Sequence, residues 1–192
     1  MPTVTSLDKI KMNMSAALIL PGIGDSDAAH WQSRWQNFNQ NFFRVNQRSW
    51  SQPDRLEWVD ALEQAVIRHG ENVVLVAHSL GCLLVAHWVA QTRLKIKGAL
   101  LVAPPDPETS PSAKIFGTLA TGFLPVPIQV FNFPSIVVAS TNDPYSDFEF
   151  SKSIAKAWGS RLVNIGDEGH INTSSSLGNW QEGFDLYQQL AS

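Results

Sequence analysis

The stretch NVVLVAHSLGCLLVAHW, which runs from Asn72 to Trp88, decides the fold of this chain. Val73 to Val76 form an unbroken apolar run that is too short for a helix and is typical of a strand buried on both faces of a parallel sheet. The pentapeptide AHSLG (77–81) follows at once and matches the pattern G-x-S-x-G, with alanine in place of the first glycine. Leu80 to Gln91 are apolar almost all round, as in a buried helix. The stretch therefore predicts a strand, an abrupt turn at Ser79 and a helix.

This turn has two interpretations. In a nucleophile elbow, small residues two places before and after the serine let neighbouring backbone approach closely while the hydroxyl stands exposed on a strained turn. Ala77 departs from the glycine that is common there, although it is still small. In the alternative interpretation, the small residues only pack the strand against the helix.

Composition limits the kinds of protein this chain can be. Its 192 residues, 44% of them hydrophobic, fit one domain over residues 15–192 after a loosely held tail over residues 1–14. A net charge of −3 argues against a nucleic-acid partner. The single cysteine, Cys82, excludes an internal disulfide and favours a reducing compartment. The apolar run Ala16 to Leu20 is too short for a signal peptide or a membrane span, so we expect no membrane association and a cytoplasmic location.

Short apolar runs alternate with amphipathic segments along the chain. The runs predict strands at residues 16–20, 42–45, 73–76, 98–103, 136–139 and 162–165. This alternation predicts an α/β fold in which helices cover both faces of a parallel sheet. The proline-rich and apolar stretch 106–134 is too long for a plain connection and predicts a lid or pocket wall, with at most one short helix near residues 112–120. Within it, Phe116 and Phe123 are candidate pocket residues.

Three predicted loops meet at the carboxyl ends of the strands, where active sites of such sheets lie. They carry Ser79, Asp143 and His170. A serine hydroxyl becomes a good nucleophile when a histidine takes its proton and a carboxylate holds that histidine in the right tautomer. The chain order Ser, Asp, His is that of the α/β-hydrolase triad. Asp147 is a rival for the carboxylate, but it could instead cap the next helix.

Each of these loop residues also has a simpler interpretation. Asp143 could form an Asx turn before Pro144, and His170 could be an ordinary polar loop histidine.

An oxyanion site needs two backbone N–H donors, one after the nucleophile and one after the first strand. Leu80 and Ile23 occupy those places, and Gly22 and Gly24 would let the first loop approach the substrate; an ordinary turn is the alternative. His30 follows that loop and lies either in the pocket or on a helix surface.

The sequence predicts neither a metal nor a cofactor. The histidines other than His170 show no metal-ligand spacing, and no dinucleotide-binding fingerprint occurs.

Taken together, several of these motifs resemble the small YdeN-like serine hydrolases related to retinoblastoma-binding protein 9. The motifs are Pro21-Gly22-Ile23-Gly24, His30-Trp31 with Trp35, AHSLG at 77–81, Asn142-Asp143-Pro144 and Gly169-His170. The resemblance covers nearly the whole chain from about Ala16 onward. It implies a minimal, three-layer α/β-hydrolase fold with six parallel strands in the order 2-1-3-4-5-6, and a triad of Ser79, Asp143 and His170.

The human relative binds a pocket protein through a segment of the type L-x-C-x-E. Here the corresponding residues, Leu80 to Leu84, lack the glutamate and lie in the predicted buried helix, so we do not expect that partner.

We therefore expect a serine hydrolase that cleaves a small ester, thioester or amide through an acyl-enzyme, as a monomer or a weak homodimer. Two alternatives are a catalytically silent interaction module and a lyase built on the same scaffold.

Overall fold

The computed structural model describes residues 15–108 and 121–192. Over these ranges, strands and helices alternate along the chain. They are β1 (Ala16–Leu20), α1 (Trp31–Phe38), β2 (Phe42–Arg44), α2 (Arg55–His69), β3 (Val73–His78), α3 (Leu80–Val89), β4 (Gly98–Val102), β5 (Ser135–Ala139), α4 (Phe148–Trp158), β6 (Arg161–Asn164) and α5 (Gln181–Ala191). The predicted tail, the predicted short helix near residues 112–120 and Phe116 lie outside the described residues.

The six strands form one parallel sheet in the order β2-β1-β3-β4-β5-β6. This confirms the predicted α/β-hydrolase topology. Because all the strands are parallel, their carboxyl ends lie at one edge of the sheet. The order switches direction beside β1, so the loops that follow β1 and β3 leave neighbouring strands at that switch point.

The sheet separates two hydrophobic cores, and alternate strand residues contribute to each one. In β3, Val73, Leu75 and Ala77 pack in the core that contains α2, α3 and α4. Val74 and Val76 pack in the other core, with α1 and α5. Both faces of β3 are therefore buried, which explains why its sequence is apolar without alternation. Residues Leu80 to Trp88 of α3 are also buried on every side.

Two apolar side chains at helix ends are exposed, and two strands differ in length from their predicted ranges. Phe38 and Leu56 are apolar residues of the amphipathic segments but are 70% and 63% exposed. Phe38 is the last residue of α1 and Leu56 is the second residue of α2, and both side chains face solvent there. The strand β2 is one residue shorter than predicted and β3 is two residues longer.

The described part of the 106–134 stretch packs beside the helices. Phe123 is fully buried, with its ring against the rings of Trp58 and His87. Phe131 stacks on Trp158 at a centroid distance of 5.2 Å. These contacts attach the segment to the core that contains α2, α3 and α4. The prediction that Phe123 lines a substrate pocket is therefore wrong, because its side chain fills a gap in that core instead.

Candidate active site

Ser79 occupies the turn between β3 and α3 in a conformation that L-residues rarely adopt. Its backbone has φ 54° and ψ −126°, so the turn is strained. The Ser79 amide donates to the Val102 carbonyl at 2.9 Å, which holds the turn against β4. A Cβ at Gly81 would lie 2.2 Å from the Leu20 carbonyl oxygen, so only glycine fits there. This close approach explains why the elbow pattern requires a small residue two places after the serine.

Ser79, His170 and Asp143 form a continuous chain of hydrogen bonds. The Ser79 Oγ lies 2.8 Å from His170 Nε2. The other ring nitrogen, Nδ1, lies 3.0 and 2.8 Å from the two Asp143 carboxylate oxygens. A carboxylate can only accept, so Nδ1 carries the proton and Nε2 is left to accept from the serine hydroxyl. The Asp143 and His170 side chains are 3% and 8% exposed, which keeps this contact out of bulk water.

Asp147, the rival carboxylate, lies elsewhere. It is the N-cap of α4, and its side chain accepts from the Phe150 amide at 2.8 Å. Asp143 also accepts from the Tyr145 amide at 2.9 Å, so an Asx-type turn and the contact with His170 occur together in one side chain. The Tyr145 ring lies 4.5 Å from the His170 ring and covers part of it.

The loop that carries His170 has left-handed backbone on both sides of the histidine and is anchored by a buried neighbour. Gly169 and Ile171, on either side of the histidine, have φ of 55° and 48°. Ile171 is fully buried, and its carbonyl accepts from the Trp31 indole at 2.9 Å. Asn142 accepts from the Gly169 amide at 2.6 Å. The carboxylate loop and the histidine loop are therefore joined before any substrate arrives.

His78, the residue before the serine, makes a contact that the sequence pattern did not indicate. Its Nε2 lies 2.9 Å from the His170 carbonyl oxygen. A carbonyl accepts, so His78 donates and ties the elbow to the backbone of the histidine loop. Burial lowers the pKa of His78 well below its usual range, and the nearby His170 and His30 act in the same direction. The side chain is therefore neutral and suited to a fixed donor role.

The loop after β1 lies directly against the serine. A Cβ on Gly22 would be 2.8 Å from Ser79 Cβ, 3.1 Å from its Oγ and 3.2 Å from the Leu80 amide nitrogen. Leu80 is the first residue of α3, so its amide has no carbonyl one turn earlier to bond. Ile23 lines the same cleft. Gly24 has φ 83° and shapes the turn, but it does not line the cleft.

Two polar side chains brace this loop from below. Arg44, on β2, donates to the Asp25 carboxylate, to the Ser26 carbonyl and to the Ser33 hydroxyl. Gln32 is fully buried and donates to the Leu20 and Val76 carbonyls at 3.4 and 3.0 Å, linking the ends of β1 and β3. Neither residue is recognisable from the sequence, because nothing in a single sequence pairs them with the loop.

A cleft of about 370 Å³ opens above the serine. Most of the residues that line it have polar side chains; the lining residues are Gly22, Ile23, Asp25, Asp27, His30, His78, Ser79, Tyr145, His170, Asn172, Thr173 and Ser174. The Thr173 hydroxyl donates to both Asp27 carboxylate oxygens at 3.0 Å, and this contact lowers the pKa of Asp27. The bond joins the loops that follow β1 and β6 across the cleft lining.

His30 lies in this cleft rather than on a helix surface, and it is 4% exposed. It is the N-cap of α1, and its Nδ1 accepts from the Gln32 amide at 3.2 Å. Burial is the main cause that lowers the pKa of His30 to about 4; Arg44 and His170 add to it and Asp27 opposes it.

Within residues 15–108 and 121–192, no three metal-ligating side chains come together. Over the same ranges, no helix is both long and apolar enough to cross a bilayer.

Comparison with known proteins agrees with this geometry. The profile of the serine hydrolase family matches residues 17–189, nearly the whole chain. This chain belongs to the serine hydrolase family.

The serine hydrolase is similar to YdeN-type proteins in particular. A YdeN-like protein from Pectobacterium atrosepticum is 31% identical, with a TM-score of 0.82 over 95% of this chain and 94% of that one. YdeN of Bacillus subtilis is 27% identical over 122 residues, a match that spans 62% of this chain and 64% of YdeN. Its crystal structure, aligned over 92% and 98% of the two chains, gives a TM-score of 0.72 at 21% identity. The predicted YdeN-like family is confirmed, whereas the relation to retinoblastoma-binding protein 9 stays a prediction.

Proposed function

We propose that this serine hydrolase cleaves a small ester, thioester or amide through an acyl-enzyme, with Ser79 as nucleophile, His170 as general base and Asp143 as the carboxylate that orients it. The observation that carries the proposal is the chain of contacts from Ser79 Oγ to His170 Nε2 at 2.8 Å and from His170 Nδ1 to Asp143 at 2.8 Å. A nucleophile bonded to a base that is itself oriented by a third group is the arrangement of an activated serine.

In the proposed reaction, the Ser79 proton passes to His170 Nε2 as Oγ attacks the substrate carbonyl carbon. The resulting oxyanion accepts hydrogen bonds from the Leu80 and Ile23 amides, and the charge on Asp143 stabilises the imidazolium. The carbon–heteroatom bond then breaks, and His170 returns the proton to the departing alcohol, thiol or amine. Water, activated by the same histidine, attacks the acyl-enzyme and releases the acid.

The cleft supports a substrate that carries polar groups near the scissile bond. Asp27, Asn172, Thr173 and Ser174 all contribute to the lining of the cleft. From the sequence, Phe116 and Phe123 are candidate pocket residues in a predicted lid or pocket wall. Phe123 does not fill that role, and Phe116 lies outside the described residues.

Labelling with a fluorophosphonate probe, followed by mass-spectrometric mapping, tests this proposal. The probe reacts with an activated serine, so we expect modification at Ser79 and none in Ser79→Ala. Ser174→Ala is a matched control, because Ser174 also lines the cleft and no base among residues 15–108 and 121–192 is hydrogen-bonded to its hydroxyl. Labelling that persists in Ser79→Ala, or that maps to Ser174, would refute the assignment.

A further inference from the structure

The His30 side chain carries a hydrogen-bond donor that the protein itself does not use. Its Nδ1 accepts from the Gln32 amide, so the neutral ring holds its proton on Nε2. Within the described ranges, this Nε2 is buried and has no hydrogen-bond partner. A buried donor left without an acceptor costs about 1–3 kcal/mol of stability, so such groups are rare in folded proteins.

The position of His30 indicates what would satisfy that donor. The ring borders the same cleft as Ser79 and Ile23 and lies 4.8 Å from the His78 ring, which is itself 4.9 Å from the His170 ring. A substrate held at Ser79 therefore occupies the cleft that the His30 ring borders. A hydrogen bond made there, away from bulk water, is stronger than one made at the surface.

We propose that His30 is a substrate-binding residue whose Nε2–H donates to a neutral carbonyl oxygen of the acyl group, separate from the carbonyl that Ser79 attacks. The inference rests on the proposed function. It assigns the preferred substrate class as esters or amides of an acyl group with its own amide or ketone carbonyl, such as N-acylamino acids.

The charges around the cleft favour a neutral acceptor over a carboxylate. Asp27 lines the cleft, and its partners among the described residues are all neutral donors: the hydroxyl of Thr173 and the amides of Ala29 and His30. Its charge would repel an anionic acyl group. Because the pKa of His30 is lowered to about 4, the ring brings no positive charge to offset that repulsion at neutral pH.

Two substitutions at His30 distinguish the effect of losing the Nε2–H donor from the effect of losing the helix cap. In His30→Asn, the amide oxygen replaces Nδ1 as acceptor for the Gln32 amide, and the Nε2–H is lost. In His30→Gln, the longer side chain retains a donor near the Nε2 position, and the cap is lost.

The assay compares p-nitrophenyl N-acetylglycinate with p-nitrophenyl pentanoate, two esters whose acyl chains have equal length and differ in the internal amide. The readout is the ratio of their kcat/KM values, in which intrinsic reactivity cancels between variants. We expect His30→Asn to lower this ratio about tenfold, as for loss of one hydrogen bond to substrate, and His30→Gln to lower it much less. Equal ratios in wild type and His30→Asn would overturn the inference while leaving the proposed hydrolase reaction intact.

A binding measurement is independent of turnover. The Nε2–H proton of His30 is followed by NMR in ¹⁵N-labelled Ser79→Ala during titration with N-acetylglycinamide or with pentanamide. We expect a downfield shift with the first ligand only. If this shift occurs but the wild type hydrolyses no ester, the proposed function is contradicted and the role of His30 in binding is not. The absence of a shift would overturn the role of His30, since an ordered water or the His78 ring would then be its partner.

Discussion

Replacing Gly22 by alanine adds one methyl group between the loop after β1 and the serine. That methyl would lie 2.8 Å from Ser79 Cβ and 3.2 Å from the Leu80 amide nitrogen. Carbon atoms pack at about 3.5–4.0 Å, so the loop and the serine must separate by roughly 1 Å. The serine is held by its 2.9 Å bond to Val102, so we expect the loop to move, taking the Ile23 amide with it.

A misplacement of about 1 Å costs on the order of 10²-fold in rate, and loss of one oxyanion donor costs about 10²–10³-fold. We therefore expect kcat for p-nitrophenyl acetate to fall at least about 10²-fold in Gly22→Ala, with little change in the urea midpoint. Gly122→Ala is the control, because its new Cβ would meet Arg55 Cβ at an ordinary 3.6 Å. A kcat within about threefold of wild type would refute the steric reasoning.

Three further predictions test other parts of the structure. Asp143→Asn should lower kcat by about 10⁴-fold, because an amide favours the wrong tautomer of the histidine. Asp147→Asn keeps its helix cap and should change kcat only a few-fold. The opposite ranking would assign the orienting carboxylate to Asp147. Gly81→Ala, with a Cβ 2.2 Å from the Leu20 carbonyl, should destabilise the fold by about 1–3 kcal/mol in urea unfolding, and an unchanged midpoint would contradict that close approach. The pKa of His30 is lowered from 6.5 to about 4, so its contribution to stability is complete above pH 6.5 and is lost as the pH falls towards 4. Between pH 7.5 and 5 the wild type should lose about 2 kcal/mol of stability through this group. His30→Asn lacks the group, so its free energy of unfolding should fall by about 2 kcal/mol less over the same range. Equal pH dependence in the two proteins would contradict the burial of a neutral ring.

The parts of the fold that follow from local pattern were predictable. The β3 residues Val73 to Val76 are buried on both faces, and an apolar run without alternation indicates that burial directly. The contact among Ser79, Asp143 and His170 followed from a general rule of parallel sheets, which brings loops from distant positions in the chain to one edge. The first inference needs only the local pattern, and the second needs only the order of elements along the chain.

The features that escaped prediction depend on packing between elements far apart in sequence. Phe123 follows a proline-rich irregular stretch, and its burial against Trp58 depends on how that stretch folds back, which no periodicity records. Arg44 ends an edge strand, where a charge usually faces water, yet its guanidinium bonds the loop after β1. Among the cleft residues, only the geometry distinguishes His30 from a histidine on the outer face of a helix.

The bond from His78 to the His170 carbonyl changes how the elbow pattern should be used. In G-x-S-x-G the residue before the serine is written as a blank, as if any side chain were equally good there. In this chain that position holds the histidine loop at a fixed distance from the serine, through a donor that alanine or leucine could not supply. Searches that treat the blank as uninformative therefore discard a residue that reports whether the proposed base, His170, can stay in place. Among relatives, loss of the donor at this position should go together with a different loop around the histidine that we propose as the base.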